Sequence, residues 1–317
     1  MNSVCTHHYP QITYRNNERL LWNPVMKKTA ANLPEERVRL RFIEALLNES
    51  TISPARIATE KGLGLGKDQA GRTDILCYDR NVEPLLLIEC KNEKIRLDEA
   101  AALQIGRYNF QVQAPFMVLT NGSTDFWFRR EGDVSLTRLD TPPESIIPGD
   151  KSTTRDAAYW IQRGFIGHET GPELQNSLIA MLKGSFAADG ADGADVRFLQ
   201  IPPSKSIHDL AHYYHVLSWP GHKLHIGVTC MPDRSGATLI VAVVVRNDEP
   251  LALLHVKPSL MNGIDEQNAF MHARDVDERF NITEKTGWTL QPDNPSGLRN
   301  FAEITKTLLS QYEMLTS

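Results

Sequence analysis

No apolar run in the 317-residue chain reaches membrane-spanning length, which takes about 20 consecutive apolar residues. The opening MNSVCTHHYP has neither a basic start nor an apolar stretch, so no secretory signal is expected there. Cysteine is scarce: Cys5, Cys77, Cys90 and Cys230 are scattered, without metal-ligand spacing. That scatter excludes a zinc ribbon and argues against a disulfide framework; Cys77 and Cys90 read as small core residues, reduced in a cytosol. Positive charge is also short. With 34 Lys and Arg against 39 Asp and Glu, the net charge is −5, which is not the footprint of a sequence-independent DNA binder. The deficit is uneven: residues 1–140 hold 19 basic and 18 acidic residues, a balance of +1, and residues 141–317 hold 15 and 21, a balance of −6. Basic clusters at Arg37/Arg39/Arg41, Lys91/Lys94/Arg96 and Arg129/Arg130 can still hold a few phosphates. Arg37 and Arg41, one helical turn apart, read better as a solvated helix face.

A phosphate-cradling loop is missing too. The glycine-rich segment GLGLGKD, Gly62–Asp68, has three residues between Gly62 and Gly66 where four are needed, and Asp68 stands where a metal-binding hydroxyl belongs. It reads as a flexible loop, not an ATP site.

What the chain does have is concentrated in TDILCYDRNVEPLLLIECKNEK, Thr73–Lys94. Two apolar, β-prone runs, Ile75–Tyr78 and Leu85–Ile88, flank a polar segment, the pattern of a hairpin. With the loop centred between Asn81 and Val82, facing residues have numbers that sum to 163, and Asp74 lies opposite Glu89. Facing residues have Cβ atoms about 4.5–5.5 Å apart, near enough for two carboxylates to share one cation. Lys91, two residues beyond Glu89, shares its face. Two hard carboxylates suit Mg²⁺, with Mn²⁺ as an alternative, because such an ion keeps several waters and takes substrate phosphate as a further ligand. Lys91 would then orient the attacking water. An ordinary ion pair between neighbouring strands is the other reading of the same three residues.

The flanks add context. Upstream, LPEERVRLRFIEALL has Pro34 in a first turn, acids beside it, and Val38, Phe42 and Leu46 at a spacing of four, predicting a helix. Downstream, RLDEAAALQIGRYNFQV predicts a helix from about Leu97, with Gln104 and Tyr108 on one face. A strand at Phe116–Leu119, an Asn121-Gly122 turn and a second strand at Phe126–Phe128 follow.

In PEERVR, RTDILCYD, LIECKNEK, QIGRYN and FMVLTNG, in that order, the chain resembles the PD-(D/E)xK nuclease superfamily. More specifically, it is similar to the N-terminal nuclease domain of the restriction (R) subunit of type I restriction enzymes, without the ATP-driven motor of that family. The resemblance covers roughly residues 30–130. It implies that Asp74 and Glu89 hold a divalent metal, that Glu36, next to Glu35, supports the metal shell, that Lys91 completes catalysis, and that Gln104 and Tyr108 sit beside the site. Thr73 stands where the superfamily's name has Pro.

Beyond TPPESIIPGD, Thr141–Asp150, a second domain is expected, with helices at 154–166 and 172–183, a small-residue loop at Gly184–Val196, strands at Val196–Ile201, Leu224–Cys230, Thr238–Val245 and Leu251–Val256, and helices near 264–279 and 297–314. In IHDLAHYYHVL, His208, His212 and His215 have helical spacing. A packed amphipathic helix is the preferred reading over a metal site, because no Glu follows the first His as in HExxH.

The expected fold is therefore an α/β, restriction-endonuclease-like domain at 1–145, a mixed sheet flanked by helices, followed by an α+β domain with an antiparallel meander at 150–317, serving recognition or oligomerisation. The expected function is that of a cytoplasmic, Mg²⁺-dependent DNA endonuclease in restriction or defence. Its expected partners are DNA, other restriction-system subunits and a second copy of the chain, with no membrane. The alternative is a catalytically weak nucleic-acid-binding or assembly subunit that keeps the nuclease fold.

Overall fold

The computed structural model describes residues 1–16, 18–62, 72–132, 135–187, 195–202, 207, 209–219, 223–247, 249–261, 267–273 and 276–311; for residues 60–62, 72–73, 99–101, 104, 108 and 260 it describes the backbone alone. The glycine-rich segment at 63–68, the loop at 188–194 and His208 lie outside the described residues. The chain divides into two units, Met1–Thr154 and Arg155–Ser317.

The first unit begins with a three-stranded antiparallel sheet, β1 (Gln11–Arg15), β2 (Glu18–Asn23) and β3 (Lys28–Ala31), which the sequence did not announce. Then comes α1 (Pro34–Glu49), with Pro34 at its first turn where no hydrogen-bonded N–H is needed. A six-stranded sheet follows in the order β4 (Ile57–Gly62), β5 (Arg72–Tyr78), β6 (Pro84–Cys90), β7 (Phe116–Thr120), β8 (Asp125–Glu131) and β9 (Ser135–Leu139). Every pair is antiparallel except β6–β7, which is parallel. A parallel pair requires a crossover, and α2 (Glu99–Val112) supplies it.

The two helices cover opposite faces of this sheet. Val38, Phe42 and Leu46 of α1 pack with Ile75, Cys77, Ile88 and Cys90. Ile105 of α2 packs with Leu76, Leu87 and Met117. This alternation is the strand period of two, and it sorts Cys77 and Cys90 into the core as buried free thiols. The segment Thr141–Asp150 lies along the end of α1: Ile146 is buried and its carbonyl accepts the Thr51 N–H at 2.9 Å.

The second unit contains α3 (Ala157–Gln162) and α4 (Pro172–Phe186), then a seven-stranded antiparallel meander. Its strands are β10 (Asp195–Leu199), β11 (His212–Trp219), β12 (Leu224–Pro232), β13 (Thr238–Arg246), β14 (Glu249–Val256), β15 (Ala269–Ala273) and β16 (Val276–Phe280). After α5 (Ile282–Thr286), α6 (Gly297–Ser310) packs on β12 and β13.

Two expectations fail here. The histidine segment is not a helix: HYYHVLSW forms β11, and its Tyr, Val and Trp residues suit a pleated, buried surface. The described residues of the stretch near 264–279 are not helical either, but supply β15 and β16. Its Ala, Met, Arg and Glu residues favour helix in isolation; pairing with β14 overrides that preference.

Candidate active site

The β5–β6 hairpin has the register Ile75↔Ile88, Leu76↔Leu87 and Cys77↔Leu86. Each pair sums to 163, and one further step in that register sets Asp74 against Glu89. Asp79 closes the turn by accepting the N–H groups of Asn81 at 2.8 Å and Glu83 at 2.9 Å. An irregularity at Cys77/Tyr78 absorbs the odd loop residue before it can shift the ladder.

Asp74 is 8% exposed and Glu89 7%, burial that acids accept only with partners. Asp74 Oδ1 pairs with Arg39 Nη2 at 2.7 Å, and Oδ2 accepts the Cys90 N–H at 2.7 Å. Glu89 Oε1 accepts from Lys91 Nζ at 2.9 Å. Arg39 also binds Glu36 through Nη1 and lies 3.9 Å from Glu35. Arg39 thus joins Asp74 to Glu36, and Lys91 holds Glu89.

The electrostatics show which sign is in excess. Burial first, and then the charge of Asp74, push the Glu89 carboxyl up to about 7 against the pull of Lys91. Burial lowers the Lys91 amine, but the hydrogen bond and charge of Glu89, helped by Glu35 and Asp74, raise it above its ordinary value. Arg39 behaves alike, lowered by burial and raised further by Asp74 and Glu36. The two bases are raised by the acids around them while Glu89 is raised mainly by burial, and four acids (Glu35, Glu36, Asp74 and Glu89) around two bases leave negative charge in excess.

A divalent cation is what such a surplus accommodates. The described residues hold no group of three or more His, Cys, Asp or Glu side chains arranged for a metal. Mg²⁺, however, is held through one or two carboxylates with water and phosphate completing the shell, and Asp74 with Glu89 fits that donor set.

Gln104 and Tyr108 lie on α2, but their side chains fall outside the described residues. The solvated face expected for Arg37 and Arg41 is wrong. They are 6% and 7% exposed and both reach Glu93, at 3.3 and 3.4 Å. Arg41 also donates to the carbonyls of His8 at 3.0 Å, Thr6 at 2.9 Å and Gly122 at 3.0 Å. It thereby ties the strand-end segment after Lys91 and the turn after β7 to α1. Gly122 has φ +83°, a conformation that favours glycine. Arg39 is the residue that the site reading missed. Its only signal was the Glu36-x-x-Arg39 spacing, which places the two on one helix face.

Residues 34–143 match the type I restriction enzyme R protein N terminus (HSDR_N). The matched stretch runs from α1 through β9 and contains Glu36, Asp74, Glu89, Lys91, Gln104 and Tyr108. The resemblance to the type I R-subunit N-terminal domain is therefore carried by the whole six-stranded sheet and both its helices, and it points to a restriction-related role. Searches of curated proteins and of solved structures returned no match.

Outside the restriction-subunit-like segment no comparable site forms among the described residues. His212 and His215 are three apart on a strand, so they project to opposite faces. His212 Nε2 bonds the Gly164 carbonyl at 2.7 Å. Burial, then Arg299, hold the His215 imidazole down to about 4. A cavity of about 280 Å³ in the second unit is lined mainly by apolar residues such as Leu253 and Phe270. One of about 330 Å³ lies between α2 and β9. Neither borders Asp74 or Glu89. No helix among the described residues is long and apolar enough to cross a membrane.

Proposed function

We propose that residues 34–143 form the nuclease module of a cytoplasmic, metal-dependent DNA endonuclease acting in restriction or defence, with DNA and other restriction-system subunits as partners. One observation carries the reading: two buried carboxylates and a lysine converge at the end of one hairpin, with Glu89 raised to about 7, inside the stretch that matches the restriction R protein. Asp74 and Glu89 would hold the ion, and bound Mg²⁺ or Mn²⁺ would neutralise charge on a phosphodiester and acidify a water. Lys91 holds Glu89 in place and keeps its proton, a fixed positive charge for the attacked phosphate. Gln104 and Tyr108 are assigned to the substrate side of α2 by the resemblance alone.

The test is plasmid cleavage followed in parallel with divalent-metal titration. Cleavage with Mg²⁺ or Mn²⁺, and binding without turnover for the larger Ca²⁺, support the reading. A protein that binds neither metal nor DNA refutes it. The second reading, a catalytically weak subunit that keeps the fold, draws support from Arg39, which already pairs with Asp74 and Glu36. Metal binding without cleavage under any condition would select it.

A further inference from the structure

We infer that Arg39 is a resident counter-cation that competes with divalent metal for Asp74 and is drawn off by a DNA phosphodiester as the metal enters. The inference rests on the nuclease reading and concerns how its site is switched.

Arg39 Nη2 stands 2.7 Å from Asp74 Oδ1, and its Nη1 is bonded to Glu36 Oε2. The second Asp74 oxygen accepts the Cys90 N–H at 2.7 Å. A metal reaching Asp74 therefore meets an oxygen held by the backbone or one beside a guanidinium. A metal held by Asp74 beside that guanidinium would be repelled far more in a largely buried site than in water. Lys91 is bonded to Glu89, so at Asp74 the resident cation is Arg39.

A guanidinium released from Asp74 needs another anion. Its planar fork matches phosphate as well as carboxylate, and α1 anchors it through Glu36. Charge pairing is conserved in the exchange: Arg39 with Asp74 before, metal with Asp74 and Arg39 with phosphate after. The coupling is reciprocal, so DNA tightens metal binding by the same factor as metal tightens DNA binding. A unit with little net positive charge thereby gains DNA affinity only in the metal-loaded state.

The experiment is calorimetric titration with Ca²⁺, with and without a short DNA duplex, on wild type, Arg39→Gln and Arg39→Lys. For the wild type, the duplex should raise Ca²⁺ affinity about tenfold. Arg39→Gln should bind Ca²⁺ about tenfold tighter than wild type without DNA and gain less than about threefold from the duplex. Ca²⁺ should also raise its melting temperature more than that of the wild type. Arg39→Lys, a point charge unable to span Asp74 and Glu36 together, should fall between. Equal or weaker Ca²⁺ binding by Arg39→Gln overturns the inference and leaves the nuclease reading standing. No Ca²⁺ binding by any of the three, with or without duplex, overturns the nuclease reading and this inference with it. If Arg39→Gln does not fold even with Ca²⁺, Arg39→Lys decides: an affinity no higher than the wild type's overturns the inference.

Discussion

The two units bury ionisable groups in opposite ways. In the first, acids and bases are packed together: Asp74 and Glu36 on Arg39, Glu89 on Lys91, and Glu93 on Arg37 and Arg41. In the second, His215 and His255 are held as neutral bases, both lowered to about 4 by burial first and then by Arg299 and Arg279. A charge network costs desolvation and returns no more than it loses unless every partner is present. Neutral imidazoles in an apolar meander escape the cost of a buried charge until acid protonates them. A fold that keeps surplus negative charge in one place, when burying neutral groups is cheaper, has a use for that place. This difference teaches where to look for chemistry.

Substitution at the first unit's network should have the largest effect. Asp74→Ala is expected to abolish plasmid cleavage and metal binding together. It also leaves Arg39 without a main partner, a loss on the order of 3 kcal/mol by chemical denaturation. Lys91→Ala should abolish cleavage while metal affinity stays equal or rises, since a nearby cation repels the ion. Wild-type cleavage by Lys91→Ala would leave the lysine as an ion-pair partner and erase the contrast between the units.

Opposite pH responses sharpen the comparison. His215 and His255 titrate near 6.5 when unfolded and near 4 when folded. The unfolded state therefore takes up protons first as pH falls. Stability of the second unit is complete above about 6.5 and is lost as pH drops through 4, by about 3 kcal/mol per histidine. Glu89 runs the other way without metal: its folded carboxyl, near 7, binds a proton more tightly than the unfolded one at 4.5. Its contribution is present below 4.5 and disappears as pH rises through 7. Hydrogen exchange between pH 4 and 8, read separately for Met1–Thr154 and Arg155–Ser317, should show the second unit opening at the acid end. Parallel responses in both units would end the distinction.

A middling effect is expected at Arg41→Ala, which removes bonds to three carbonyls and to Glu93. Unfolding should become easier by about 2–3 kcal/mol. A change under about 0.5 kcal/mol would return Arg41 to the solvated face that its spacing suggested. The smallest change in stability is expected of Gln104→Ala, under about 0.5 kcal/mol. Cleavage should nevertheless slow, and an unchanged rate would confine the functional argument to the hairpin.

Much of the first unit was legible because its signals are local. Pro34 with apolar residues every fourth position marks α1, and two β-prone runs around a polar turn set the register that brings Asp74 to Glu89. The same local reading failed wherever a partner far along the chain decided the outcome. His208, His212 and His215 fit a helical wheel, but β10 and β12 lie on either side of His212–Trp219 and recruit it as a strand. Arg37 and Arg41 look like a charged helix face until Glu93 and the Gly122 turn are folded against them.

Local sequence suffices for the secondary structure of α1, α2 and the hairpin and for the face on which Asp74 and Glu89 meet, because helix and strand periods are properties of neighbouring residues. Long-range packing alone sets Arg39 between Asp74 and Glu36, buries Arg37 and Arg41 of the same helix, and makes the second unit a seven-stranded meander. Those outcomes rest on contacts between distant residues. Their energies come from desolvation and Coulomb pairing in a folded interior, which no local pattern encodes.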